Sequence, residues 1–201
     1  MYIQQLGIDT RWRQTADVVK RYIRECGYRN VIPYRGKTFP ATQRQLEEHE
    51  LRKGWFFEHQ KHPEVKEPMW VIRPNAGDGM FYMSVDTDRA KDFLFSRLAS
   101  PPGTSRTNNL LQGTQDDHEL FSHHLCNSEY PELISARGIE KNSWIQRENQ
   151  LGRNNDWLDT SVGCIALASM QGARLMTGGE SLEKPKRNTE RWKKRLASRR
   201  T

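Results

Sequence analysis

The order of apolar segments at the N-terminus limits the possible folds more sharply than any other feature of this chain. Leu6-Gly7-Ile8 is a short apolar run closed by Asp9, the pattern of a buried strand, and Arg11-Trp12-Arg13 leaves it as a loop. Across residues 15–26, Ala16, Val18, Val19, Tyr22, Ile23 and Cys26 recur at helical spacing, and Gly27 is a natural stop. Asn30-Val31-Ile32-Pro33-Tyr34 then reads as a second strand. Two strands joined through a helix lie parallel, so the expected class is α/β. A first strand so close to Met1 is what a fragment would show.

Further along, helical spacing is convincing only at 41–51 until residue 68, and His59-Gln60-Lys61-His62-Pro63 reads as a surface loop of solvated histidines. Strands are expected at 70–72 and 80–85, separated by the turn Asn75-Ala76-Gly77-Asp78-Gly79. Phe81, Met83 and Val85 should face the core, with Tyr82, Ser84 and Asp86 on the other face. A helix over 87–98 makes a second strand-to-helix unit. Residues 100–115 form a loop, 118–126 a short helix, and 133–137 with 144–147 a hairpin joined across Gly138. A long helix over 154–175 is full of small residues, including Gly163, Ala166, Ala168, Ser169 and Gly172, and can approach a sheet closely.

Composition permits a core. Nineteen aromatics (six Trp, six Tyr, seven Phe) stand among 201 residues, more than a disordered chain carries, even at a mean hydropathy of −0.90. The length allows one domain with a small appendage. No apolar run approaches the roughly 18 residues of a membrane span, and Met1-Tyr2-Ile3-Gln4-Gln5 lacks the layout of a secretory signal. Cys26, Cys126 and Cys164 lie far apart without a CxxC pair, which fits a reduced compartment. The net charge of +7 is local: residues 181–201 hold nine Lys and Arg against two Glu, so the first 180 residues are neutral. The division is therefore a domain over 1–178 and a basic tail over 179–201. Such a tail is either an arm for polyanions or a solvated terminus.

Four carboxylates invite a common site. Asp9 and Asp86 end strands, where open α/β sheets place their chemistry. Asp156 and Asp159, three residues apart, project from one face of the last helix. Clustered carboxylates need cations, and all-oxygen ligands suit Mg²⁺ or Mn²⁺ rather than zinc. Two such ions roughly 4 Å apart would clamp the attacking water and leaving oxygen of a phosphodiester. Each acid also has a plainer role: Asp9 as a loop residue, Asp86 as a helix cap, and Asp156 and Asp159 as complements to a helix dipole. There is no phosphate loop of the GxxxxGK[ST] type, so ATP hydrolysis by these residues is not expected. His59 and His62 lack the partners of a zinc site, and His123-His124 face opposite ways on their helix.

Several pieces carry a resemblance. Leu6-Gly7-Ile8-Asp9-Thr10, then Asn30 to Lys37, then Val85-Asp86-Thr87-Asp88-Arg89-Ala90-Lys91-Asp92, and above all Asn154-Asn155-Asp156-Trp157-Leu158-Asp159 running into Cys164-Ile165-Ala166-Leu167-Ala168, stand in one order. From about Gly7 to Gly172 the chain resembles the C-terminal nuclease domain of the large terminase subunit of lambda-like tailed phages. The resemblance implies an RNase H-like mixed sheet flanked by helices. It also implies a two-metal-ion endonuclease that cuts concatemeric double-stranded viral DNA during packaging in the cytoplasm of the bacterial host. By it Asp9 and Asp159 are metal ligands, Asp156 an alternate or partner, and Asp86 the expected second acid. Arg11, Arg13, Arg35, Lys37 and Lys91, with Lys193, Lys194 and Arg195 of the tail, are the expected DNA contacts. An ATPase motor domain, a small terminase subunit and a portal are the implied partners, with no membrane. Two other readings stay open: a packaging component that binds DNA or a partner through an incomplete site, and another RNase H-like nuclease of the resolvase or transposase type.

Overall fold

Among the described residues five short strands assemble into one mixed sheet. The computed structural model describes residues 3–10, 13–37, 56–58, 61–62, 68–75, 77, 79–101, 103–104, 107–108, 110, 112–136, 139–147 and 155–173. In chain order the sheet strands are β1 (Leu6–Asp9), β2 (Val31–Lys37), β3 (Phe56–Phe57), β4 (Trp70–Pro74) and β5 (Phe81–Asp86). Their spatial order is β1-β2-β5-β4-β3. The helix α1 (Arg13–Glu25) links β1 to β2, which pair in parallel, as the order of strand, helix and strand predicts; Asp9 lies opposite Tyr34. β5 lies parallel to β2, with Tyr34 opposite Met83 and Lys37 opposite Asp86. β4 and β3 add antiparallel strands at the far side. The class is thus α/β with a mixed sheet, as expected.

Among the described residues three further helices follow: α2 (Thr87–Leu98), α3 (Gln115–Cys126) and α4 (Asp156–Gln171). The core joins Trp70, Met83 and Val85 of the sheet to Ala90 and Leu94 of α2, Leu125 of α3, and Leu158, Val162 and Ala166 of α4. α4 lies close on the sheet, as its small residues predict. A Cβ on Gly163 would stand 2.8 Å from the Tyr34 ring, and one on Gly7 would stand 2.8 Å from Leu167. The helix stops at Gly172, whose φ of 99° ends it short of the expected residue 175. The hairpin of β6 (Glu129–Ala136) and β7 (Ile139–Gln146) is longer than expected and docks on α2 through Trp144. That indole donates to Asp92 at 2.9 Å and stacks on Phe95 at 4.8 Å.

Two expectations need correction. Phe81 is 54% exposed rather than a core residue, since it begins β5 beyond the reach of the helices. His62 is buried, not solvated: α4 passes over its segment, and the ring Nε2 donates to the Ser169 carbonyl at 2.9 Å. Beside it Trp70 Nε1 donates to Ser169 Oγ at 2.9 Å, and that hydroxyl donates to the buried Glu58 carboxylate. His59, the helix expected over 41–51, and the tail from residue 179 fall outside the described residues. Among the described residues no helix is long and apolar enough to cross a membrane.

Candidate functional site

Asp9 closes β1, and because its register partner is Tyr34, the two side chains share one face of the sheet. It is the face on which α4 lies, since Gly7, two residues earlier, meets Leu167. The Tyr34 ring runs under α4 to Gly163, where only a glycine leaves room for the phenol. Asp159 stands four residues before Gly163, so it occupies the same side of the helix one turn nearer its start. Asp9 and Asp159, both half-buried, thus lie near one phenol. The electrostatics agree. Burial first, then the charges of Asp9 and Asp159, with Cys164 last, push the Tyr34 phenol far above its usual range.

Asp156 is exposed in the first turn of α4, three residues before Asp159. The helix start is held from outside the sheet: Asn155 does not cap it but turns its side-chain amide toward Glu129 at 3.5 Å. Glu129 also forms a buried ion pair with Lys91. The Lys91 ammonium is therefore engaged in the interior, under the hairpin, rather than presented to solvent.

Asp86 stands apart from this pair. It lies opposite Lys37, three residues beyond the level of Tyr34 and Asp9, and two strands away from β1. At about 3.3 Å per residue and about 4.8 Å per strand spacing, its Cα is roughly 14 Å from that of Asp9. Alternation along β5 also assigns it to the face opposite Met83 and Val85. There it accepts a long hydrogen bond from the Arg89 amide at 3.5 Å as the N-cap of α2, and faces the Arg89 guanidinium at 3.7 Å. Burial lowers the Arg89 pKa, opposed by the charges of Glu58 and Asp92.

Of the expected phosphate contacts, Arg35 and Lys37 are exposed on the second half of β2. Arg13 opens α1, with its side chain undescribed, and Arg11, Lys193, Lys194 and Arg195 fall outside the described residues. Tyr34 is the site residue that sequence reasoning missed. Its strand was legible, but the register that sets it beside Asp9 is a long-range property.

The Asp9–Asp159 pair offers hard oxygen donors of the kind Mg²⁺ and Mn²⁺ take. Among the described residues no three His, Cys, Asp or Glu side chains form a group able to hold a metal ion. Two carboxylates still fit such an ion, because Mg²⁺ keeps much of its water and is commonly held by one or two carboxylates plus substrate phosphates. Searches of curated proteins and of solved structures find no match. Over residues 1–182 the chain matches the family described as terminase large subunit gpA, endonuclease domain. That match spans every element of the sheet and α4, and the chain belongs to this family of terminase endonuclease domains.

Proposed function

We propose that this chain is a metal-dependent endonuclease that cuts concatemeric double-stranded DNA during genome packaging. The observation that carries the reading is that Asp9 and Asp159 both act on one half-buried phenol, on the same face of the sheet. In this reading the domain is RNase H-like, and Asp9 and Asp159, aided by Asp156, hold Mg²⁺ or Mn²⁺. Two ions are the expected number. A cation so held supplies a Lewis acid for the phosphodiester and a more acidic water. The remaining work belongs to the chain. Arg35 and Lys37, with Arg11 and Arg13, two and four residues after Asp9 in the sequence, hold the duplex by its phosphates. An ATPase motor domain, a small terminase subunit and a portal are the proposed partners, in the cytoplasm of a bacterial host.

Plasmid nicking in Mg²⁺ or Mn²⁺ tests the proposal. Asp9→Asn and Asp159→Asn should each abolish nicking and leave the melting temperature similar or higher, because removing one of two neighbouring like charges relieves repulsion. Unchanged cleavage in EDTA would exclude the mechanism. A second reading, a packaging component that binds DNA without cutting it, draws on the lack of a third converging carboxylate among the described residues and on the engagement of Asp86 with Arg89. Retained DNA binding without metal-dependent nicking would favour it.

A further inference from the structure

We infer that Tyr34 is a positioning residue of the acidic site: its hydroxyl, held against Gly163 near Asp9 and Asp159, orients one of these carboxylates toward a bound divalent cation. The inference rests on the reading of Asp9 and Asp159 as cation ligands and adds a residue to which that reading gives no task. Three placements support it. The parallel register sets Tyr34 directly beside Asp9. The phenol oxygen and the carbon that bears it would each lie 2.8 Å from a Cβ on Gly163, so the oxygen itself is the part of the ring that meets α4. Gly163 follows Asp159 by one turn on the same side of that helix.

A neutral O–H at such a spot can do one thing that the cation's own ligands cannot. In the cation-bound site it would donate to one oxygen of a carboxylate and leave that carboxylate's other oxygen for the cation, which holds the rotamer. The phenol is well suited to the task. An ordinary phenol ionises only at about pH 10, so at neutral pH its O–H is a donor. A phenylalanine would fill the same space and lack only the donor.

The test is Mn²⁺ binding to the full chain, read as free Mn²⁺ by electron paramagnetic resonance, with melting curves to show that each variant folds. Tyr34→Phe should raise the Kd for Mn²⁺ by about 10-fold, the usual scale for loss of a hydrogen bond to a metal-binding side chain. Gly163→Ala keeps the hydroxyl but pushes on it, and should weaken Mn²⁺ binding in the same direction. A Kd within twofold of the parent in both folded variants would overturn the role of Tyr34 while leaving the acidic site intact. A parent chain that binds no Mn²⁺, or whose affinity Asp9→Asn leaves unchanged, would overturn the acidic site and the role of Tyr34 with it.

Discussion

Lys91 and Glu129 bury opposite charges under the hairpin, and the pair reaches the acidic site through Asn155 at the head of α4. Truncating either partner leaves the other charged, desolvated and alone, which typically costs about 3–5 kcal/mol. Lys91→Met should therefore destabilise the protein by about that much in urea unfolding, while Lys91→Met combined with Glu129→Leu should recover most of the loss. Failure of the double variant to recover would mean that Lys91 acts through its packing alone. The local sequence could not reveal this pair. Lys91 stands among Asp88, Arg89 and Asp92 on a charged helix, a pattern that reads as a wet face, and its partner lies 38 residues away. Asp9 and Asp159 were legible by contrast, because a strand end and a helix face are local features. The separation of Asp86 from them was not, since it follows from strand order.

At the scale of the element, α3 shows how a helix start is set by residues outside its apolar pattern. Thr114 and Asp117 form a reciprocal cap: the Thr114 amide donates to Asp117 at 2.7 Å, and the Asp117 amide donates back to the threonine hydroxyl at 3.4 Å. The backbone and then the side-chain hydrogen bond from Thr114 hold the Asp117 carboxyl below its usual range. A carboxyl whose pKa is lowered by folding stabilises the native state above its unfolded pKa, and that contribution fades as pH falls through the folded value. Asp117→Ala should thus lower the melting temperature at pH 7, and the gap to the parent should close on acidification below the carboxylate range. A gap that stays constant with pH would show that the carboxylate's charge takes no part in the cap. The apolar pattern alone starts this helix at residue 118, three residues late. The signal that corrects it, Thr114-Gln115-Asp116-Asp117, lies in polar residues that a search for apolar spacing passes over.

For the whole molecule, net charge is concentrated at one end of the sequence. The family match ends at residue 182, and the tail of residues 181–201 carries nine basic side chains, with Trp192 among them. If the tail binds duplex phosphates, deleting residues 181–201 should reduce the slope of log K against log salt by about 0.9 for each phosphate it had neutralised, with single-turnover cleavage at saturating DNA little changed. An unchanged slope would assign the tail to a protein partner and leave DNA binding to the residues around the acidic site. The fold itself has a consequence for that site. Ser169, gripped by Trp70 and Glu58, lies ten residues along α4 from Asp159, about 15 Å. Apolar contacts alone would let a helix slide and roll, and a slip of one residue would carry Asp159 about 1.5 Å forward and through about 100°. Directional bonds at the distal end make α4 a keyed shaft, so that the bearing of Asp159 is set far from Asp159; under the proposed function, changes around residues 58 and 70 would retune cleavage without touching DNA.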